Sequence, residues 1–305
     1  MNRLLHRLFG RSAPPPPRVD PVEAAVASAP PDPSPTVPET TTALPDRPTP
    51  FAPSGAAPAL FFMHIPKTSG SSTNRLLTGL YGTENVIIHA ESVLPDLLAR
   101  NRETLRVDGV SGHVPLCRWA LYRGTGLYAR ATLLRDPWTR LVSHINWVNR
   151  FRLGEPLPTG KTGPATERVS AALADTDFSD RAALRRFFEL VRAQEDFNAF
   201  DNMQVRMLVT GHHRATYKRL TKGDAEAAID NLSAFAVVGF CEDQDRFRTD
   251  LESFVGQTFA EAEAPRENVT TTMALTSDNG LARKVFAPWI ELDQALYDAA
   301  RALKG

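Results

Sequence analysis

From residue 59 to residue 305, short unbroken apolar runs alternate with amphipathic stretches. ALFFMHI (59–65) reads as a buried strand, SSTNRLLTGL (71–80) as a helix opening on Ser71, and NVIIHA (85–90) as a second strand. A helix over 92–104 and strands over 107–111 and 131–135 follow. From Pro137 onward, Trp138, Leu141, Val142, Ile145 and Val148 fall on one face of a further helix. Residues 152–179 are polar and read as a long loop. Helices near 180–194 and 197–210, a strand at 235–240 and C-terminal helices complete the pattern. Strands without polar interruptions, separated by helices, predict an α/β domain of three layers, a central mostly parallel sheet flanked by helices on both faces. Ligands of such sheets bind beyond the carboxyl ends of the strands, so chemistry is sought there.

The first 58 residues do not share this pattern. Fifteen of the 24 prolines lie between Pro14 and Pro58, a density that favours solvated polyproline II over packing, so residues 12–58 read as a disordered tether. Ahead of it, Leu4, Leu5, Leu8 and Phe9 alternate with Arg3, Arg7 and Arg11. Residues 1–11 therefore read either as a short basic amphipathic helix for peripheral contact with a membrane or as a frayed end. No apolar run is long enough to span a bilayer and the opening residues lack the pattern of a secretory signal, so a soluble cytoplasmic protein is expected. With 35 basic against 35 acidic residues the formal charge is zero, which gives no reason to expect nucleic acid as a partner. Cys117 and Cys241 stand far apart with no CxxC or Cys/His cluster, so neither a disulfide framework nor a metal site is expected. The sequon at Asn268 is left unused without a secretory signal.

The first strand runs directly into His64-Ile65-Pro66-Lys67-Thr68-Ser69-Gly70-Ser71-Ser72 and then into a helix. Small residues at a helix N-terminus let backbone N–H groups and the positive dipole end face an anion, while Lys67 adds a full charge and Ser71 and Ser72 add hydroxyls. This strand–loop–helix design is P-loop-like. The nucleoside-triphosphatase form GxxxxGK[ST] is absent, however, because here the lysine precedes the glycine by three positions. A second cationic element lies in LLRDPWTRLVSH, where Arg135 ends a strand and Ser143 stands two turns along the next helix, within reach of one anion.

HIPKTSGSS resembles the 5′-phosphosulfate loop of the sulfotransferases that use 3′-phosphoadenosine 5′-phosphosulfate (PAPS), in the branch containing the heparan 2-O type and bacterial relatives. Ser69 stands where that family commonly has glycine, and Ser71 where it has threonine. The resemblance implies that Pro66, Lys67, Thr68, Ser69, Gly70, Ser71 and Ser72 hold the 5′-phosphosulfate. It further implies that Arg135 and Ser143 hold the 3′-phosphate, that PAPS is the co-substrate without a metal, and that the acceptor is a sugar or glycan hydroxyl. Asn202, Gln204 and Arg206 resemble the family's N-x-Q-x-R helix and are candidates for acceptor-side or cleft contacts, although Phe197, Phe200, Met203 or Gln204, and Met207 recur at helical spacing and belong to a core. VVGFCEDQDRF (237–247) resembles a further family segment.

Sulfuryl transfer needs an in-line hydroxyl, a base for its proton and positive charge on the leaving phosphate. Lys67 suits the last role. His113, in Gly112-His113-Val114 after the third strand, suits the base, since an imidazole changes charge near neutrality and the family uses a histidine from a comparable segment. His89 is the alternative base. His64 reads as a residue that orients the loop, and His144 as an exposed one. Two other functions share these features: a P-loop nucleotide kinase, which would want GK[ST] and a magnesium-binding Asp, and a nucleotide-binding interaction protein without catalysis.

Overall fold

Five strands, Leu60–Met63 (β1), Val86–Ile87 (β2), Gly109–Gly112 (β3), Ala129–Leu134 (β4) and Val237–Phe240 (β5), form one sheet in the order β2-β3-β1-β4-β5, with every pairing parallel. The computed structural model describes residues 57–99, 107–122, 125–152, 164–194, 197–209, 219–259 and 273–304. The amphipathic start, nearly all of the proline-rich segment and the sequon at Asn268 lie outside the described residues. The helices are Gly70–Tyr81 (α1), Ala90–Ala99 (α2), Leu116–Trp119 (α3), Pro137–Arg152 (α4), Pro164–Ala174 (α5), Arg181–Arg192 (α6), Met203–Leu208 (α7), Lys222–Leu232 (α8), Gln244–Val255 (α9), Gly280–Val285 (α10) and Glu291–Lys304 (α11). None of them, among the described residues, is long and apolar enough to cross a membrane.

β1 is central, and all four of its side chains are fully buried. Phe61 and Met63 pack on one face with Leu94 of α2, Trp119, Val205, Ala228 of α8 and Leu296 of α11. Leu60 and Phe62 pack on the other with Leu77 of α1 and Phe247, Leu251 and Val255 of α9. Burial on both faces is why this strand is written as a continuous apolar run, each such side chain contributing about 1.5–3 kcal/mol over its exposed state. The expected three-layer α/β architecture is thus the observed one.

A separate helical cluster joins α4, α5, α6 and α10, and it contains the predicted face of α4, Trp138, Leu141, Val142, Ile145 and Val148. Two expectations fail nearby. The segment read as a loop over 152–179 contains α5, which opens on Pro164 and buries Val169 and Leu173, one helical turn apart, in this cluster. The helix expected over 197–210 shrinks to α7, because Asn202 takes a left-handed conformation (φ 44°) and stops helix from extending toward Phe197.

The connection from β1 leads away to β2, whereas that from β4 leads the opposite way to β5. The adjacent carboxyl ends of β1 and β4 therefore border a topological switch point, the place where open α/β sheets form a ligand crevice. The two motifs singled out in the sequence follow these two strands.

Candidate functional site

The loop leaving β1 is made tight by two residues in left-handed conformation, Lys67 (φ 71°) and Ser69 (φ 62°). Non-glycine residues rarely adopt it, and such strain concentrates at functional sites. Inside the loop the fully buried Thr68 donates its hydroxyl to the Ile65 carbonyl at 2.8 Å, which ties its side chain to the turn. The His64 ring lies where a side chain on Gly70 would be: a Cβ there would come within 2.0 Å of His64 Nε2. α1 then begins without a side-chain cap at Ser69 and without an acidic residue in its first turn. Its N-terminal dipole is not offset by a local carboxylate. Ser71 is exposed and Ser72 and Pro66 are half-buried at this end. Ser69 Oγ accepts from Gln244 Nε2 at 3.2 Å and also bonds Cys241, whose thiol burial pushes up to about 12.

The second motif meets the first directly. Arg135, the residue after β4, donates from its guanidinium to the Lys67 carbonyl at 3.1 Å and to Thr139 Oγ1 at 3.3 Å. Lys67 Nζ in turn stands 5.8 Å from the centre of the Trp147 ring. Thr139, Ser143 and Trp147 are spaced four apart on α4, so half-buried Ser143 occupies the same face between the two cation contacts. Burial, reinforced by Arg135, Arg150 and Arg140, lowers the pKa of Lys67 to about 8. Lys67 and Arg135 are short of counter-charge: among the described residues no carboxylate lies in ion-pair distance of either, whereas buried Arg140 pairs with Asp293 at 3.9 Å.

On the other side of β1, His113 follows β3. Its Nδ1 is 2.6 Å from the His64 carbonyl. A carbonyl can only accept, so Nδ1 carries the proton and Nε2 presents a lone pair. The two imidazoles are 4.3 Å apart between centres. Burial lowers the pKa of His113, an effect opposed by Glu91 and by the bond to His64. The net result keeps the ring neutral at pH 7. Glu91 accepts the His113 amide at 2.7 Å, and Gly112 makes room for it, since a Cβ there would sit 2.5 Å from Glu91 Oε2.

The other histidines take different places. His89, with φ 55°, is exposed, and its Nδ1 lies 3.6 Å from the far oxygen of Glu91. His64 is held neutral, chiefly by burial. His144 is buried against Trp147, Phe200 and Arg140 and is not the exposed residue expected, because α4 turns it into the helical cluster instead of outward.

The N-x-Q-x-R stretch also departs from its expected cleft position, since Asn202, Gln204 and Arg206 are all buried. Asn202 Oδ1 accepts from the amides of Leu292 and Asp293, while Arg206 pairs with Asp201. Gln204 turns its carboxamide to the Arg135 backbone, donating to its carbonyl and accepting from its amide, both at 2.9 Å. Sequence reasoning missed Trp147, Arg150 and Glu91. The first two lie one and two turns beyond Ser143 on α4, a signal that spacing alone carried.

No family model matches the sequence, and no curated protein matches it. Among solved structures, a sulfotransferase from Alicyclobacillus acidocaldarius is similar at a TM-score of 0.36 and 15% identity, over 79% of this chain and 96% of that one. So distant a likeness says nothing of chemistry, which has to be read from the site itself.

Proposed function

We propose that this is a nucleotide-dependent group transferase whose crevice holds an adenosine nucleotide by two phosphates. More particularly, it is a sulfotransferase that uses PAPS and a hydroxyl acceptor, of which a sugar or glycan hydroxyl is the leading candidate.

The observation that carries the reading is a pair of cations without a carboxylate beside them: Lys67 and Arg135 converge from neighbouring strands, burial and then Arg135 lower the Lys67 pKa, and among the described residues no carboxylate lies in ion-pair range of either. Partly buried charges without a counter-charge are costly, so an arrangement of this kind favours an anionic ligand. The uncapped start of α1 adds a second feature of the same sign.

In this reading the loop at Pro66–Ser72 and Lys67 hold the 5′ end of the nucleotide, and Arg135 with Ser143 holds the 3′-phosphate. Bound PAPS would supply the sulfuryl group. Lys67 offsets charge that builds on the leaving phosphate, the role a fixed cation plays in transfers of this kind. His113 accepts the hydroxyl proton at Nε2, the nitrogen left free by the bond to His64. His64 fixes the tautomer, and Glu91 holds the backbone that carries the base.

Thermal melting separates this from a P-loop kinase. 3′-Phosphoadenosine 5′-phosphate should raise the melting temperature in the absence of magnesium, and ATP with magnesium should not. The reverse result overturns the reading. Transfer of label from radioactive PAPS to a panel of sugar, lipid and phenol acceptors then identifies the acceptor class.

A further inference from the structure

We propose that Gln204 is a positioning residue for Arg135 and that the last helix, α11, holds it in place through Asp293. The inference rests on the reading of Arg135 as the anchor for a 3′-phosphate.

Arg135 lies just past the end of the sheet. The β4–β5 ladder ends at Leu134 opposite Phe240, followed by a final bond from the Cys241 amide to the Leu134 carbonyl at 2.8 Å. Among the described residues Arg135 therefore has no strand to pair with, although in the proposed reading its guanidinium must be aimed at a defined point beside Lys67. The Gln204 side chain takes the place of the missing strand, satisfying both the amide and the carbonyl of Arg135. Glutamine is suited to this, because its carboxamide presents one acceptor and one donor side by side. Glutamate would lose the donor and set a carboxylate oxygen against a carbonyl. Asparagine would fall one methylene short.

Gln204 is itself fixed from a distance. It is the second residue of α7 and fully buried, with its carboxamide taken up by the Arg135 backbone. Its amide and that of Val205 donate to the two oxygens of Asp293, at 3.2 and 2.8 Å. The arrangement is reciprocal, since Asn202 before α7 accepts the amides of Leu292 and Asp293 at the start of α11. A second tie reaches the next residue of the same turn. The Asp136 amide donates to Glu242 at 2.8 Å, and Tyr297 of α11 donates to the other oxygen of Glu242 at 3.0 Å. The C-terminal helix thus reaches both Arg135 and Asp136 through one intermediary each.

The test is a double-mutant cycle read by calorimetry with two ligands, 3′-phosphoadenosine 5′-phosphate and adenosine 5′-phosphosulfate, which lacks the 3′-phosphate. Gln204→Met, similar in length but without either hydrogen bond, should weaken the first by about tenfold. It should leave affinity for the second within about twofold, a selectivity that general loosening of the fold does not produce. In an Arg135→Ala background, Gln204→Met should cost nothing more. Equal loss of both ligands, or losses that multiply in the double variant, overturns the proposal. Gln204→Glu should show the same selectivity and serves if the methionine variant does not fold. A wild-type protein that binds neither nucleotide overturns the functional reading and this inference with it, whereas tight wild-type binding matched by Gln204→Met overturns the inference alone.

Discussion

The loop after β1 and the turn after β4 supply one cation each to the same crevice, yet they are built in opposite ways. The first is held mainly from within. Thr68 bonds Ile65 three residues back, the His64 ring fills the space that Gly70 leaves, and the His64 carbonyl reaches His113 on the neighbouring strand. The second is held from far along the chain, by Gln204 and Glu242, with Asp293 and Tyr297 behind them. A local motif can thus be recognised as a string, whereas a turn fixed by remote side chains is visible only as an arginine at a strand end. In the proposed reading the β1 side carries the chemistry and the β4 side carries binding alone.

The largest effect expected from that division concerns the base. His113→Ala should lower turnover by roughly 100-fold or more and leave nucleotide affinity unchanged, as loss of a general base does. Single-turnover kinetics beside calorimetry checks it. A variant with wild-type turnover moves the base elsewhere, and His89 is then the residue to test, although its exposed ring is tied to Glu91 and not to the loop.

The two cations should separate next. Lys67→Ala removes a charge from both binding and chemistry, and should reduce affinity by about tenfold to 100-fold and turnover as well. Arg135→Ala should reduce affinity for 3′-phosphoadenosine 5′-phosphate comparably but spare saturated turnover. If both variants behave alike in both measurements, the contrast between the two sides fails.

How much of this could be read in the sequence follows the same line. β1, α1 and the HIPKTSGSS loop were legible because the apolar run, the motif and the helical stretch follow one another without a break in the sequence, although Arg135, His113 and Gln244 also hold the loop from afar. The buried face of α4 was legible because Trp138, Leu141, Val142, Ile145 and Val148 keep a helical period. The helix α5 was missed because its buried stripe is only Val169, Ser170 and Leu173 within a polar stretch, and it forms against α4 and α6 and not from its own pattern. Gln204 was set among the cleft candidates because its stretch resembles the family's N-x-Q-x-R helix and its apolar neighbours were assigned to the core. Its actual partner is a backbone 69 positions away, which no local spacing reveals. The same holds for His144, whose burial depends on Phe200 and Arg140.

A smaller effect should appear on changing pH. The pKa of Lys67 falls to about 8 in the folded protein from an ordinary 10.5. Between these two values the unfolded chain binds a proton that the folded one does not, so this lysine makes stability rise with pH over that window and costs stability below it. Anion binding wants the charged form and should run the other way. Affinity for 3′-phosphoadenosine 5′-phosphate should be flat near neutrality and fall above pH of about 8, by no more than tenfold per unit. The lowered pKa of His113 places the acid limb of turnover below its ordinary 6.5. Lys67→Met should remove the alkaline fall in affinity while leaving the acid limb in place, and an alkaline fall that persists assigns it to another group.

The smallest effect tests how self-contained the β1 loop is. Ser69 holds a φ of 62°, a conformation that costs a non-glycine residue roughly 1–2 kcal/mol. Ser69→Gly relieves that strain but loosens the unfolded chain by about 0.5–1 kcal/mol and loses the partly exposed bond from Gln244. These terms nearly cancel, so stability should stay within about 1 kcal/mol of wild type in urea unfolding. Ser69→Val, branched at Cβ and forced into the same positive φ, should destabilise by more. Nucleotide affinity should barely change on Ser69→Gly, because the loop keeps its shape through Thr68 and the bond from Arg135 to the Lys67 carbonyl. A loss of more than tenfold with stability intact would assign the Ser69 hydroxyl to the ligand instead of to Gln244 and Cys241. The loop would then depend on side chains it presents outward, and the contrast with the turn after β4 would narrow to where each is held.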